Sequence, residues 1–506
     1  MWPALQRFDG TYALAITAFL LGVIVMLMYR PFSQLEGADD AIWDYISQSI
    51  VRGQVPYRDV IDNKAPGAAY LSALVMAAGK LAGLQDVIAV RLAYVLLAGL
   101  LCALTYLLAE TYLESRLAAI IAFLVPLMST DLAIMLISGT RPKLPMILFG
   151  LATLLLVSRN KPFWAGFCSM LSCICWQPGL LFTGTAVLIF SKYLTSWRDR
   201  RALNVMLGAV VPLAVLLTYF YSAGALDELW TCTIDYNYRV YLPEGNLGPS
   251  VALARLWYLI NEVMGPNVFW VKLSAVGISA FAIERVWIKL KGINALSESG
   301  LFKDAILLPP LVYLVFRTIN YPGEDDLIPL FPFIGIFAGF FFAELVNLLR
   351  LFQRKVFHTR FAELLLVIPI LLLLFFVLDG AAKYRVEPGR TLPDQQLAFR
   401  AISDVLAPDD KIYVHGTLEI LVLLNRPNLN RYIFLARGTD DYVASTLPGG
   451  FSGLIEQMEA EAPKVISLSR LRNVAHRDEL IEWATKRYDK LPLAFAHNSV
   501  FVRKQE

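Results

Sequence analysis

Residues 11–40 read TYALAITAFLLGVIVMLMYRPFSQLEGADD, an apolar stretch that runs directly into an acidic segment. The apolar part has the length of one membrane-spanning helix, because about 20 such residues cross a bilayer. The acidic part contains Glu36, Asp39 and Asp40. Placing carboxylates at the end of a membrane helical bundle costs free energy, so such residues usually pair with cations or serve a function. The stretch therefore predicts a membrane protein with a charged site at the outer end of its first span.

The composition of the whole chain agrees with a membrane protein. Of the 506 residues, 57% are hydrophobic and only 17% are charged, whereas soluble domains carry about 25% charged residues. Basic residues occur in short loops between apolar runs and form no continuous stripe, which argues against nucleic acid as a partner. Four of the five cysteines lie inside apolar runs, where cysteine behaves as a small hydrophobic residue.

Eleven apolar runs are candidate spans: 11–29, 86–110, 117–137, 142–158, 163–177, 178–194, 203–222, 266–288, 302–318, 327–349 and 361–379. The stretch 66–84 is also apolar but is interrupted by Lys80 and three glycines. If it does not span, the basic loops all fall on the cytoplasmic side and the acidic loops on the outer side, as the positive-inside rule requires. We therefore expect a helix at the outer surface over 66–84, a cytoplasmic N-terminus and an outer C-terminus.

The composition changes at about residue 381. Short strand-like runs occur at 411–414, 431–434 and 465–468, and a hairpin pattern occupies about 492–497 and 499–504. Helical patterns near 394–406, 450–461 and 476–487 separate them. This alternation predicts a small α/β domain over 381–506, following a transmembrane module over 1–380 whose first outer loop and surface helix cover 30–85.

The first outer loop carries the most informative residues. Asp39 and Asp40 open a stretch in which apolar residues recur at helical spacing. Asp39 could cap that helix or serve a functional site. Lys64 lies just before the next predicted helix, where it could bind a lipid phosphate or anchor the chain at the interface.

Three motifs together resemble a known family. Gly53-x-x-Pro56-Tyr57-Arg58-Asp59, followed by Asp62-x-Lys64-x-Pro66-Gly67, resembles the first periplasmic loop of bacterial GT-C glycosyltransferases, which include protein O-mannosyltransferases and aminoarabinose transferases. The segment from Tyr321-Pro322 to Asp325-Asp326-Leu327-Ile328-Pro329 is similar to a late loop-to-helix element of that family, and residues 409–416 are similar to the start of its soluble domain. The resemblance follows the whole chain in order, and the first loop is its specific part.

The resemblance implies a polytopic α-helical membrane protein of GT-C type with about eleven spans, outer juxtamembrane helices and a small α/β periplasmic domain. It also implies transfer of a sugar from a polyprenyl-phosphate donor to a lipid, glycan or protein acceptor, at the periplasmic face of a bacterial inner membrane. Asp39, with its neighbour Asp40, matches the family's general base, and Lys64 matches a basic residue that contacts the donor phosphate.

The chain departs from the family pattern in three places. Ala65 stands where the family has the first proline of Lys-Pro-Pro. Arg141-Pro142-Lys143 stands where an acidic residue is expected, so Asp131 could take that role, while Arg141 and Lys143 could bind a phosphate or anchor the helix. Asp325-Asp326 replaces a His-Tyr pair.

The remaining candidates have weaker support. Arg58 and Arg91 could assist in phosphate binding, although a buried Arg91 could instead pair with an outer-loop carboxylate. The candidates for substrate binding are Tyr57, Asp59, Asp62, Asp131, Gln177, Tyr321 and Asp325. No histidine spacing indicates a metal site and no cofactor is indicated with certainty, but Glu36, Asp39 and Asp40 could bind a divalent cation through their oxygens.

Two other functions fit the composition. A transporter or flippase of a lipid-linked sugar would carry its charges near the bilayer midplane, on broken helices in two related halves. Here the acids lie in outer loops and the chain has no internal repeat. A non-catalytic cell-envelope assembly protein would tolerate the loss of Asp39.

Overall fold

The computed structural model describes residues 2–191, 200–241, 248–258, 261, 268–291, 298–319, 324–353, 360–435, 439–471, 474–496 and 499–504. Up to Lys383 the described chain is helical. Its α-helices are α1 (Trp2–Met28), α2 (Ala38–Val51), α3 (Gly67–Leu81), α4 (Asp86–Leu113), α5 (Arg116–Leu127), α6 (Thr130–Ile137), α7 (Lys143–Ser158), α8 (Pro162–Cys175), α9 (Leu180–Ser191), α10 (Arg201–Ser222), α11 (Leu226–Trp230), α12 (Pro249–Tyr258), α13 (Val268–Leu290), α14 (Glu298–Ala305), α15 (Leu308–Ile319), α16 (Phe331–Gln353) and α17 (Arg360–Lys383).

Several of these helices are suited to a membrane. By length and composition, four helical stretches of the described chain could cross it, namely Gly10–Ser33, Asp86–Leu113, Arg201–Ser222 and Asp326–Leu348. The bent pair α5 and α6 would make a fifth. The membrane location is thus supported, whereas the count of eleven spans remains a prediction. Helix α3 has 15 residues and is roughly 22 Å long, shorter than the bilayer core of about 30 Å, in keeping with the predicted surface helix.

The candidate span over 117–137 is a bent pair of helices. Helices α5 and α6 meet at an angle of 75°. Pro126 lacks the N–H that would continue the hydrogen-bond ladder. The hydroxyl of Ser129 then accepts a hydrogen bond from Leu132 N at 3.2 Å and caps the new helix. The bend directs the chain after α6 back toward α2, which brings Thr140, Arg141 and Lys143 beside the first loop.

Small residues allow the helices to cross closely. A Cβ added to Gly166 in α8 would overlap Val205 O of α10, and one added to Gly208 in α10 would overlap Phe163 O of α8. In lipid the hydrophobic effect does not drive helices together, because lipid tails are as apolar as the side chains. Close van der Waals packing through small residues such as glycine is therefore a main source of helix association. These two glycines therefore hold α8 against α10.

From Leu392 onward the described chain contains four strands and five helices. The strands are β1 (Ile412–His415), β2 (Val465–Leu468), β3 (Tyr488–Leu491) and β4 (Val500–Arg503), in the spatial order β1-β2-β4-β3. β1 and β2 are parallel, and the other neighbours are antiparallel. The helices are α18 (Leu392–Ser403), α19 (Glu419–Leu424), α20 (Thr439–Thr446), α21 (Gly450–Glu461) and α22 (Arg477–Arg487).

Two strand predictions need correction. The run 431–434 is not a strand, because its backbone groups bond elsewhere: Arg431 O accepts from Ile61 N at 3.0 Å and Ile433 O accepts from Gly416 N at 3.2 Å. The hairpin exists, but its first strand is Tyr488–Leu491 and not 492–497. The strand predictions at 411–414 and 465–468 and the three helix predictions are confirmed within a few residues.

We expect Gly208→Val to destabilise the bundle by about 1–3 kcal/mol or more, because the added side chain must displace the α8 backbone. The matched control is Gly184→Val in α9, since a Cβ there would have no atom within 4 Å. Thermal unfolding in one detergent compares the two variants. Equal melting temperatures for both would contradict the close crossing.

Candidate active site

A cavity of about 620 Å³ lies where the loop over residues 30–65, the helix ends and the sheet domain meet. Five predicted residues line it: Asp39, Asp62, Lys64, Lys143 and Gln177. The lining also contains Trp43, Trp176, Arg317, Asp326, His415 and Arg470, which were not among the predicted site residues. The cavity is the candidate active site because it brings carboxylates and cations from distant segments together.

Asp39 is the carboxylate most accessible from the cavity. It lies in the first turn of α2, whose N-cap is Gly37, so Asp39 is not the helix cap. About half of its side chain is exposed, and Oδ1 accepts a hydrogen bond from Arg470 Nη1 at 3.0 Å. Burial raises the pKa of Asp39, but Arg470, with smaller contributions from Arg141 and Lys143, lowers it below the ordinary value. Asp39 is therefore ionised at neutral pH.

Asp40 has a structural environment. Its side chain is buried, and Oδ1 lies 2.5 Å from Arg141 Nε. Asp44, one turn later, accepts hydrogen bonds from the backbone N of Thr140 at 3.1 Å and from its hydroxyl. These contacts fix α2 against the turn before α7. The predictions of Asp40 as base and Arg141 as phosphate ligand are thus not supported, because the two groups pair with each other away from the cavity lining.

Lys143 and Arg317 share one carboxylate. Lys143 Nζ lies 2.9 Å from Asp326 Oδ1, and Arg317 forms an ion pair with Asp326 Oδ2. Both cations also lie over the ring of Trp176, at 5.3 Å and 5.8 Å from its centre. Two cations on one carboxylate leave a net positive charge in the cavity wall, which is the electrostatic requirement of an anion site.

Arg317 had a signal in the sequence. It is an arginine near the end of the apolar helix α15, and an ionisable residue in a candidate span is a functional-site hypothesis by default. Asp326 is adjacent to the predicted Asp325. The structure gives no side-chain description of Asp325, and Tyr321 lies outside the described residues.

The segment from Asp62 to Lys64 forms another side of the cavity. Asp62 is buried, and burial raises its pKa to about 6, opposed chiefly by Lys64. Gln177 Nε2 donates to Asn63 O at 2.9 Å, and Tyr57 donates to Lys64 O at 2.7 Å. Gln177 and Tyr57 therefore hold the loop, and Lys64 and Asp62 face the cavity.

Arg91 is not part of the cavity lining. It is fully buried and donates to the carbonyl oxygens of Ser138, Pro31, Gln34 and Leu35 at 2.6–2.9 Å, and to Glu36 Oε2 at 3.0 Å. The cavity therefore does not support the predicted phosphate contact of Arg91, and the pair with Glu36 agrees with the alternative prediction of a structural pair with a first-loop carboxylate.

Three other candidates also lie away from the cavity lining. Arg58 and Asp59 form an exposed ion pair at 2.8 Å, and Arg58 Nη1 donates to Ala223 O at 2.8 Å. Asp131 is exposed in the first turn of α6. These side chains stabilise the outer loop or face outward.

The acidic residues 36–40 do not converge on one point. Glu36 pairs with Arg91, Asp40 with Arg141 and Asp39 with Arg470. Within the described ranges, no group of three His, Cys, Asp or Glu side chains is placed to hold a metal ion. The divalent-cation site proposed for Glu36, Asp39 and Asp40 is therefore not supported.

The whole chain is similar to solved membrane enzymes. ArnT from Cupriavidus metallidurans bound to undecaprenyl phosphate has a TM-score of 0.60 at 13% identity, over 99% of this chain and 98% of that one. Its apo state gives a TM-score of 0.57 at 14% identity, with the same coverage. The chain has the GT-C fold. This confirms the GT-C fold expected from the first-loop resemblance, whereas the count of eleven spans and the periplasmic side of the C-terminal domain stay predictions.

A more distant structure shares the GT-C fold. It is the archaeal oligosaccharyltransferase AglB from Archaeoglobus fulgidus in complex with an inhibitory peptide and a dolichol-phosphate. It has a TM-score of 0.54 at 11% identity, over 97% of this chain and 74% of that one. Neither a family model nor a curated protein sequence matches the chain.

We expect Arg91→Met to destabilise the protein by about 3–5 kcal/mol, because Glu36 would remain buried without its cation. The double variant Arg91→Met/Glu36→Gln should recover part of the loss. Arg58→Met is the control, since an exposed pair contributes only about 0–1 kcal/mol. Thermal unfolding in detergent is the measurement, and an Arg91→Met protein as stable as Arg58→Met would contradict the account.

Proposed function

We propose that the chain is a glycosyltransferase that moves a sugar from a polyprenyl-phosphate donor to an acceptor hydroxyl. The observation that carries this proposal is one cavity in which the half-exposed carboxylate of Asp39 lies within electrostatic reach of Lys143, which shares Asp326 with Arg317. A carboxylate can take the acceptor's proton, and cations can hold the departing phosphate.

Lys143, Arg317 and Lys64 are the proposed phosphate ligands. Asp326 orients Lys143 and Arg317 and reduces their mutual repulsion. A phosphate bound beside them would gain charge-assisted hydrogen bonds in a partly dry site, where such bonds are strong. Lys64 lines the same cavity from the first loop.

Asp39 is the proposed general base. It would accept the proton of the acceptor hydroxyl as that oxygen forms a bond to the anomeric carbon of the sugar. The bond between that carbon and the phosphate oxygen breaks, and the polyprenyl phosphate leaves with the electron pair and the charge. The nearby cations would stabilise that charge as it develops.

The solved relatives of the fold support this class of donor. The ArnT structure is bound to undecaprenyl phosphate, and the AglB structure holds a dolichol-phosphate. By analogy, we assign a polyprenyl phosphate to this cavity, with a lipid, glycan or protein as acceptor. We also assign the chain to a bacterial inner membrane, with residues 1–380 as the transmembrane module and residues 381–506 as a periplasmic domain.

We expect Asp39→Asn to lower transfer at least about a hundredfold without loss of folding, because the amide keeps the shape of the side chain but cannot act as the base. The control is Asp404→Asn, an exposed carboxylate of the sheet domain. Turnover of the native lipid-linked donor in membranes is measured for both variants. Near-normal turnover by Asp39→Asn would remove Asp39 from the mechanism.

Removal of a phosphate ligand should weaken binding of undecaprenyl phosphate. We expect Lys143→Met and Lys64→Ala each to raise its dissociation constant about ten- to hundredfold, the value of a hydrogen bond to a charged group. Lys64→Arg should retain part of the affinity, since the charge survives and the geometry changes. Arg58→Met serves as the control outside the cavity, and parental affinity in both lysine variants would show that the phosphate binds elsewhere.

The proposed orientation has its own test. Reporter fusions at Arg200 and Glu506 should lie on opposite sides of the membrane, with Arg200 in the cytoplasm, as expected from the basic and acidic loops. Fusions that report the same side for both residues would contradict the periplasmic assignment of the sheet domain.

A further inference from the structure

The carboxyl ends of two parallel strands form one side of the cavity. β1 and β2 pair in parallel, with His415 opposite Leu468. The residues at and just beyond these strand ends, His415, Gly416 and Arg470, line the cavity. In α/β sheets, ligands bind outside the carboxyl ends of the strands. The sheet domain therefore presents its binding edge to the site that contains Asp39.

Hydrogen bonds fix this edge relative to Asp39. Gln48 Nε2 donates to Val422 O at 3.1 Å, and Asn428 N donates to the hydroxyl of Tyr45 at 2.7 Å. Both Gln48 and Tyr45 belong to α2, the helix whose first turn contains Asp39. Helix α2 therefore fixes the position of both the sheet domain and the Asp39 carboxylate.

His415 presents an unused acceptor. Its Nδ1 lies 2.9 Å from Ser469 O, and because a carbonyl oxygen only accepts, Nδ1 carries the proton. Nε2 is then an acceptor, and it is buried without a hydrogen-bond partner among the described residues. The side chain is 1% exposed. Burial lowers the pKa of His415 to about 4, so the ring is neutral at pH 7. A buried acceptor without a partner is uncommon in a folded protein, and because His415 lines the cavity, Nε2 is a candidate acceptor for a ligand hydroxyl.

Arg470 supplies a cation at the same edge. It follows β2 with a φ of 54°, a left-handed conformation that is costly for a residue with a side chain. Its side chain is about half exposed and contacts Asp39. Gly416 lets the two strand ends approach, since a Cβ there would lie 2.7 Å from Ser469 O. The backbone thus carries strain where an arginine reaches the proposed base.

We propose that this edge is the acceptor subsite, where Arg470 binds an anionic group of an acceptor saccharide and His415 accepts a hydrogen bond from one of its hydroxyls. The inference rests on the proposed function and names the substrate class of its second site. Arg470 and the pair Lys143–Arg317 reach the cavity from different parts of the chain, so the acceptor anion and the donor phosphate have separate cations. An anion that takes Arg470 also frees Asp39 from its ion pair, which makes the base available when the acceptor is bound.

The test uses the full-length protein in nanodiscs, with and without saturating undecaprenyl phosphate. Three probes are titrated by calorimetry: glucose 6-phosphate, methyl glucoside and inorganic phosphate. The variants are Arg470→Met and His415→Asn, whose amide can still donate to Ser469 O but lacks the Nε2 acceptor. Arg477→Met, an exposed arginine at the start of α22, is the matched control.

We expect the parent to bind glucose 6-phosphate more tightly than the other two probes. Arg470→Met should weaken that binding about tenfold or more and leave methyl glucoside unchanged, as expected for a lost charge contact. His415→Asn should weaken both sugars about two- to tenfold, and Arg477→Met should match the parent. Binding of glucose 6-phosphate that is equal in all four proteins, or absent from the parent, would overturn the subsite.

The experiment distinguishes a failure of the donor assignment from a failure of the acceptor subsite. If undecaprenyl phosphate does not bind, the donor assignment fails, and the titrations without lipid still decide the acceptor subsite. If undecaprenyl phosphate binds and the Arg470 and His415 variants behave like the parent, the acceptor subsite fails and the donor assignment stands.

Discussion

The buried guanidinium of Arg91 is the contact on which the rest of the site depends. From α4 it binds the carbonyl oxygens of Pro31, Gln34 and Leu35, the carboxylate of Glu36 and the carbonyl oxygen of Ser138. One side chain therefore joins the end of the first span to the turn after α6. The contacts with residues 31–36 fix the position of Asp39, and the contact with Ser138 fixes that of Lys143. A substitution of Arg91 would therefore displace both residues, although Arg91 itself does not line the cavity.

Charge pairing then distinguishes the carboxylates of the first loop. Glu36 and Asp40 are buried, and each pairs with an arginine from a distant segment. Such pairs cost much to break and contribute geometry more than net stability. Asp39 differs because half of its side chain is exposed and its partner, Arg470, is also half exposed. Of the paired acids of residues 36–40, it is the one whose arginine is accessible to a substrate anion, as the proposed acceptor subsite requires.

The sequence predicted the site where the chemistry is local. The first loop identified Asp39, Asp62 and Lys64, and the start of α7 identified Lys143, all of which line the cavity. Residue type alone could not show whether Arg91 binds a phosphate or has a structural role, because that role depends on the four carbonyl oxygens around it. The same limit applies to Asp40 and Arg141, whose mutual pairing depends on the bend between α5 and α6.

The rest of the site could not be read from the sequence because it is assembled over long separations. His415 and Arg470 lie hundreds of residues after Asp39 and belong to another part of the chain, yet they line the same cavity. The strand prediction at 431–434 failed for a similar reason. This run has a high β-propensity, but its backbone carbonyl oxygens accept hydrogen bonds from Ile61 of the first loop and from Gly416. Tertiary contacts outweigh local β-propensity in such cases.

The most direct test of the central claim is to purify the protein with its native lipids and identify what it carries by mass spectrometry. The account predicts enrichment of a polyprenyl phosphate, free or carrying a sugar, relative to an unrelated polytopic protein prepared in the same way. Recovery of ordinary phospholipids alone, with no polyprenyl phosphate above that reference, would contradict the assignment of the cavity to a lipid-linked sugar donor.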